Sequence, residues 1–215
     1  GFGWTNAETL SFYGTYTMFV YLMSIPGGWV ADKYIGQKKA VMLGGILLCF
    51  GHGVLAIDTE WAFFTGLILI VVGVGFLKPN ISTMVGGLYK KGDNKRDTGF
   101  YIFYMGINIG AFLGALTVGA VAAKYGWHYG FGLAGIGMAI GQLVYFYGLQ
   151  YLEGVGEFIG SDKSPDKELM NKPLSRVEKD RMIVLLLSFL IIIVFWGAFE
   201  QAGGLMSLYT EQKTD

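Results

Sequence analysis

Only one cysteine, two histidines and four prolines occur among the 215 residues, which leaves little material for disulfide or metal chemistry. The lone Cys49 excludes an internal disulfide and reads as filler in an apolar run. His52 and His128 stand far apart without ligand-type neighbours, so packing or interfacial roles suit them better than a metal. No apolar segment holds a paired His, Cys or carboxylate constellation, which argues against a membrane-embedded enzyme. Charge is scarce too: Asp, Glu, Lys and Arg make up 15% of the chain and sum to zero, so nucleic acid is not expected as a partner. The chain also lacks an initiator Met and a leader with a basic flank and cleavage site, opening directly on Gly1-Phe2-Gly3-Trp4.

What is abundant is apolar surface and glycine. Hydrophobic residues reach 53%, glycines number 34, and the mean hydropathy is +0.48. Six charge-poor segments, 10–31, 40–57, 61–89, 98–123, 127–152 and 182–209, can each cross a hydrocarbon layer of ~30 Å at ~1.5 Å per residue. Membrane barrels need alternating stretches of ~10 residues rather than continuous runs. The expected fold is therefore an all-α membrane protein with six transmembrane helices in the lipid bilayer.

Thirteen of the 16 Lys and Arg residues follow the first, third and fifth segments, whereas Lys124 and Lys213 fall on the opposite side. That asymmetry places the thirteen in the cytoplasm and both chain ends outside it. A chain starting outside with no preceding span is hard to arrange, so a fragment is expected. Connections 58–60 and 124–126 are short enough to make antiparallel neighbours of the spans they join. Gly106, Gly110 and Gly114, and likewise Gly137 and Gly141, recur every four residues, a spacing expected to give close helix packing. In the long segment 153–181, which carries Pro165 and Pro173, Ser175-Arg-Val-Glu178 has the spacing of a capping box, so the sixth helix should begin there.

Two of the spans carry a single charge each: Lys78 within 61–89 and Glu200 within 182–209. A charge at bilayer depth costs a few kcal/mol and generally faces a cavity or a partner, so the pair points towards a transport pathway. Counted from the inner ends of their helices, Tyr21, Lys78 and Asn108 share a level about 15 to 17 Å up, whereas Glu200 lies about 28 Å up. An offset of about 12 Å between Lys78 and Glu200 makes them unsuited to pair with each other. Trp196 lies one turn below Glu200 on the same helix face. Blander roles exist for each. Lys78 could snorkel inward if its helix ended at Pro79, and Glu200 could sit at the outer interface. Asn108 could bond two helices, and Tyr21 and Trp196 could be ordinary packing aromatics.

The stretch Gly27-Gly28-Trp-Val-Ala-Asp32-Lys-Tyr-Ile-Gly36-Gln-Lys-Lys-Ala-Val resembles the first signature of the proton-dependent oligopeptide transporters, a branch of the major facilitator superfamily. Its Asp-to-Gly interval is one residue longer than in the general superfamily loop. The run from Phe100 to Phe112, FYIFYMGINIGAF, resembles the second signature, and Leu77-Lys78-Pro79-Asn80 and Phe199-Glu200-Gln201 resemble two further elements. The resemblance spans the whole chain as the family's second to seventh helices, a partial major facilitator bundle. Residues 1–152 would supply five helices of the first half, 153–181 the cytoplasmic linker and 182–215 the first helix of the second half.

The resemblance implies import of di- and tripeptides by alternating access in a cell membrane, a bacterial inner membrane, with the proton as coupling ion and no other cofactor. It implies substrate contacts from Tyr21, Lys78, Asn108 and Trp196, with Asn108 directed towards the peptide carboxylate. Proton coupling and gating would fall to Glu200, Lys78 and Asp32. The partners of Lys78 and Glu200 would lie on missing helices of the same parent chain, a tenth-helix glutamate and a first-helix arginine. The first-helix Glu-x-x-Glu-Arg-Phe element has no counterpart here, so the chain by itself is expected to be inactive. Another facilitator substrate, such as nitrate or a sugar, and a nonfunctional truncated remnant are the alternatives.

Overall fold

The computed structural model describes residues 3–90, 92–158 and 173–213, and every regular element among them is helical. Helix α1 (Asn6–Leu22) is followed by α2 (Ser24–Val30), a π-helical turn (Ala31–Ile35), α3 (Gln37–Leu55), α4 (Glu60–Gly87) and α5 (Lys95–Tyr125). Then come α6 (Trp127–Gly148), α7 (Arg176–Phe199) and α8 (Leu205–Lys213), with short 3-10 turns at Leu149–Tyr151 and Glu200–Ala202. Five helical stretches are long and apolar enough to cross a membrane: Gln37–Leu55, Glu60–Gly87, Lys95–Tyr125, Trp127–Tyr151 and Arg176–Ser207. Pro165 and the basic residues Lys163, Lys167 and Lys172 lie outside the described residues.

The first expected span, 10–31, is helical but not continuous. Pro26 has no N–H for the carbonyl of Leu22, and its ring crowds that carbonyl, so α1 ends at Leu22 and α2 restarts at Ser24. The ladder resumes on either side, with Met23 bonded to Phe19 and Gly27 to Met23. Beyond Val30 the helix widens, and Gly36, at φ 81°, donates back to the carbonyl of Ala31 at 2.7 Å, carrying Asp32 inside a π turn rather than in a loop. The last expected span also differs. The pair Gly203 and Gly204 closes 3-10 bonds onto Glu200 and Gln201, so α7 stops at Phe199 and Glu200 begins a turn.

Caps fix two helix starts. Ser175 accepts from the Glu178 N–H, and Glu178 accepts from Ser175 N–H at 2.7 Å, the capping box expected for α7. Thr5 and Glu8 make the same reciprocal pair at α1, with a spacing equally visible in the sequence. Both Thr5 donors hold the Glu8 carboxyl below its usual titration range.

Residues 18–167 form one compact unit, and residues 1–17 with 168–215 form another. In the larger unit a row of glycines lies buried with Ala40, Val41, Leu48, Leu55, Ala62 and Ile70 where α3 packs on α4, while α6 packs on α3 and α2 on α4. Gly44 meets Gly73 and Gly51 meets Gly66, an antiparallel register along the α3–α4 seam. Among the described residues nothing lies within 4 Å of a Cβ built at Gly106, Gly110, Gly114, Gly137 or Gly141, so the glycines expected to mediate packing meet no neighbour there. In the smaller unit, Gly203 and Gly204 seat Tyr13 and Leu10 of α1.

A methyl at Gly44 would lie 2.6 Å from the Gly73 carbonyl oxygen and 2.7 Å from the Leu77 nitrogen, both backbone atoms. Gly44→Ala is expected to lower stability by about 1–3 kcal/mol through overpacking. Gly110→Ala, made where space is open, should cause no loss. Thermal unfolding in detergent checks both, and equal melting temperatures for the two variants would contradict this placement of the core.

Candidate functional site

Helix α4 runs unbroken through Pro79, so Lys78 sits well inside a membrane-length helix and not at its inner end. Side chains satisfy the backbone around the proline. Asn80, only 2% exposed, donates to the Phe76 carbonyl at 2.7 Å, Ser82 donates to Lys78 at 3.1 Å, and Thr83 donates to Pro79 at 2.9 Å. These bonds add side-chain donors to the carbonyls flanking the proline, while the carbonyl it deprives, that of Gly75, is not among their acceptors. The Gly75 carbonyl, which Pro79 cannot serve, lies against Gly27, where only a glycine leaves room.

Lys78 is exposed, and its ammonium stands 4.4 Å from the centroid of the Tyr21 ring near the end of α1. Two residues expected at one depth are thus brought together across two helices. Such a contact contributes about 0.5 to 2 kcal/mol, more as water is excluded. Among the described residues no carboxylate lies within ion-pair distance of Lys78, and the ion pair present joins Lys38 to Glu157. Asn108, exposed on α5, uses its amide nitrogen within its own helix, donating to the Tyr104 carbonyl at 2.8 Å. Asp32 is exposed in the π turn and accepts from the Gln37 amide at 3.2 Å. Beside it, the Lys33 ammonium lies over the rings of Trp29 and Tyr34.

Trp196 and Glu200 belong to the smaller unit. Trp196 packs edge-on against Phe195 and Phe199, at 5.6 and 5.1 Å between ring centroids, and stays 47% exposed. Glu200 caps the end of α7, where its N–H reaches back to the carbonyls of Trp196 and Ala198. The residue is half-buried at the C-terminal end of α7. A recess of about 520 Å³ lined by Trp4, Ala7, Glu8, Ser11, Phe12 and Thr15 contains none of the expected site residues. Sequence reasoning missed Asn80, although an asparagine beside the proline of an apolar run is itself a signal of backbone repair.

The profile of the POT family matches residues 38–160. A di-/tripeptide transporter of Lactococcus lactis is 39% identical over 207 residues, covering 94% of this chain and 39% of the relative. A peptide transporter of Yersinia enterocolitica is 37% identical over 199 residues, covering 90% of this chain and 38% of the relative. A crystal structure of the peptide transporter POT with sulfate superposes with a TM-score of 0.71 at 39% identity, over 95% of this chain and 40% of that one. A POT family transporter bound to a thioalcohol-conjugated peptide matches at TM-score 0.71 and 33% identity, over 94% and 40% of the two chains. The chain thus spans about two fifths of the length of these relatives.

If the Tyr21 ring holds the Lys78 ammonium, Tyr21→Leu should raise the rate at which an amine-directed reagent modifies Lys78 by about two- to tenfold. Tyr21→Phe should keep the rate. Peptide mapping of the modified protein reads both, and equal rates in the two variants would remove the contact.

Proposed function

Because this chain belongs to the POT family, whose members are transporters, we propose that it supplies substrate-binding and proton-coupling residues of a transporter that imports di- and tripeptides with protons by alternating access. The observation that carries this reading is Lys78: a cation well inside a membrane-length helix, exposed, resting on the Tyr21 ring and without a carboxylate partner among the described residues. A zwitterionic peptide needs a cation for its carboxylate and hydrogen bonds that tolerate any side chain. Lys78 provides the first, and Tyr21 and Asn108 the second, with Asn108 exchanging its own-helix bond for the peptide. The exposed, edge-packed Trp196 provides an apolar wall. Relatives described as di-/tripeptide transporters support the substrate class.

In this reading Glu200 takes up and releases the coupling proton, Lys78 shares in the coupling, and Asp32 fastens the cytoplasmic side. No cofactor beyond the proton enters, and no bond of the substrate is made or broken, so the protein is not an enzyme. The bilayer is the cell membrane, with the basic loops on the cytoplasmic face and both chain ends on the opposite one. Helices of the longer relatives' kind complete the cavity around the exposed faces of α5 and α6.

The test replaces the matching segment of the Lactococcus transporter with this chain and measures dipeptide uptake into proteoliposomes under a proton gradient. Uptake competed by dipeptides, and not by nitrate or sugars, is expected. Lys78→Gln should reduce it about thirtyfold or more, the scale for losing one partner of a desolvated charge contact. Glu200→Gln should leave peptide exchange but abolish the dependence on the gradient. Unchanged proton-driven uptake in Glu200→Gln sinks its coupling role.

A further inference from the structure

Helix α3 starts without a side-chain cap, because Gly36 has none to offer, and its first amides need partners from elsewhere. The chain leaving α6 provides one. Gly154 and Gly156, at φ 77° and 69°, turn residues 153–158 back across the inner ends of α3 and α4. The Lys38 N–H donates to the Gly156 carbonyl at 3.0 Å, and the Lys38 carbonyl accepts from the Tyr145 hydroxyl at 3.0 Å. The Lys38 ammonium meets Glu157 at 2.7 Å, with the two side chains 18% and 33% exposed. Lys38 is therefore held by its donor, its acceptor and its charge at once.

The strap fits closely as well as bonding. A Cβ at Gly36 would lie 2.8 Å from the Phe158 nitrogen, one at Gly156 would lie 2.9 Å from Met84, and one at Gly87 would touch Val155 at 3.1 Å. Gln37, the neighbour of Lys38, holds Asp32. We propose that Lys38, Tyr145 and Glu157 are positioning residues that pin the strap 153–158 to the start of α3 throughout the transport cycle. They thereby keep the turn carrying Asp32 in register with the inner ends of α4 and α6. The role in a cycle rests on the transport reading above.

A backbone hydrogen bond, an ion pair shielded from much of the solvent and three glycine contacts favour a permanent clasp over a releasing latch. In a cysteine-free form of the Lactococcus chimera, Lys38→Cys and Glu157→Cys are joined by a short bismaleimide. Uptake should stay within about twofold of the same protein treated with a monofunctional maleimide, since the strap moves with its rigid body. A loss of about tenfold or more on cross-linking alone shows that the strap must detach, and overturns the proposal.

Charge reversal gives an independent readout. Lys38→Glu and Glu157→Lys should each lower maximal uptake about tenfold at an unchanged half-saturating concentration, and the double swap should restore it. A swap no better than the single variants overturns the pairing. In the 215-residue chain itself, the swap should recover the melting temperature that each single variant loses. An unmutated chimera that takes up no peptide overturns the transport reading instead, while the melting series still decides the ion pair.

Discussion

The arrangement of the larger unit turns on one carbonyl. Pro79 leaves the Gly75 oxygen without its helical donor, and that oxygen lies against Gly27 of α2, while Met23 at the α1–α2 break packs on Gly75 itself. Only glycine on both sides permits so close an approach. Tyr21 is two residues before Met23, and Lys78 three residues beyond Gly75. Seating Met23 on Gly75 therefore brings the Tyr21 ring over the Lys78 ammonium. The proline that disturbs α4 and the glycines that accept the disturbance thus fix the geometry of the candidate site.

Burial in this chain follows lipid rules rather than aqueous ones. Many large apolar side chains face outward, with Ile191 75% exposed and Val144 68% exposed, while glycines let the α3–α4 seam close around a few buried ones such as Leu48, Leu55 and Ile70. In a bilayer, moving a leucine from lipid to a helix interface gains little hydrophobic free energy, so close backbone approach and hydrogen bonds decide the packing. That explains why Asn80 is the buried polar side chain among the described residues and why it bonds to its own helix. It also explains the polar fastening between α6 and α3, where Gln142 donates to the Met42 carbonyl.

Hydropathy and charge made the spans legible, because both measure the cost of leaving lipid. The depth of Tyr21 and Lys78 was legible for an equally simple reason: helical rise is constant, and counting residues measures distance. Backbone events were less so. The break before Pro26 and the turn at Glu200 change no charge and little hydropathy, so an apolar run conceals them. Among the described residues the glycine contacts have another period. Spacing of four suggested packing along α5 and α6, but the glycines in contact, Gly44 with Gly51 and Gly66 with Gly73, are spaced by seven. Seven is the interval of left-handed packing, in which a helix returns the same face to its partner every two turns. The strap was not legible at all, since Lys38 and Glu157 stand 119 residues apart in sequence.

Among the described residues the neighbour of Lys78 is an aromatic ring and not a carboxylate, which bears on the proposed binding role. A carboxylate neighbour would stabilise the ammonium strongly and would have to be displaced before a peptide carboxylate could take its place. An aromatic face stabilises it by only about 0.5 to 2 kcal/mol and leaves its charge uncancelled. The ring thus restrains the cation without supplying an anion of its own. Part of the ordering cost that binding would otherwise carry is met in advance, while most of the electrostatic gain is kept for the ligand. In the proposed role such a site holds its charge in readiness, and the close glycine contact of α2 with α4 is what places the ring over the amine.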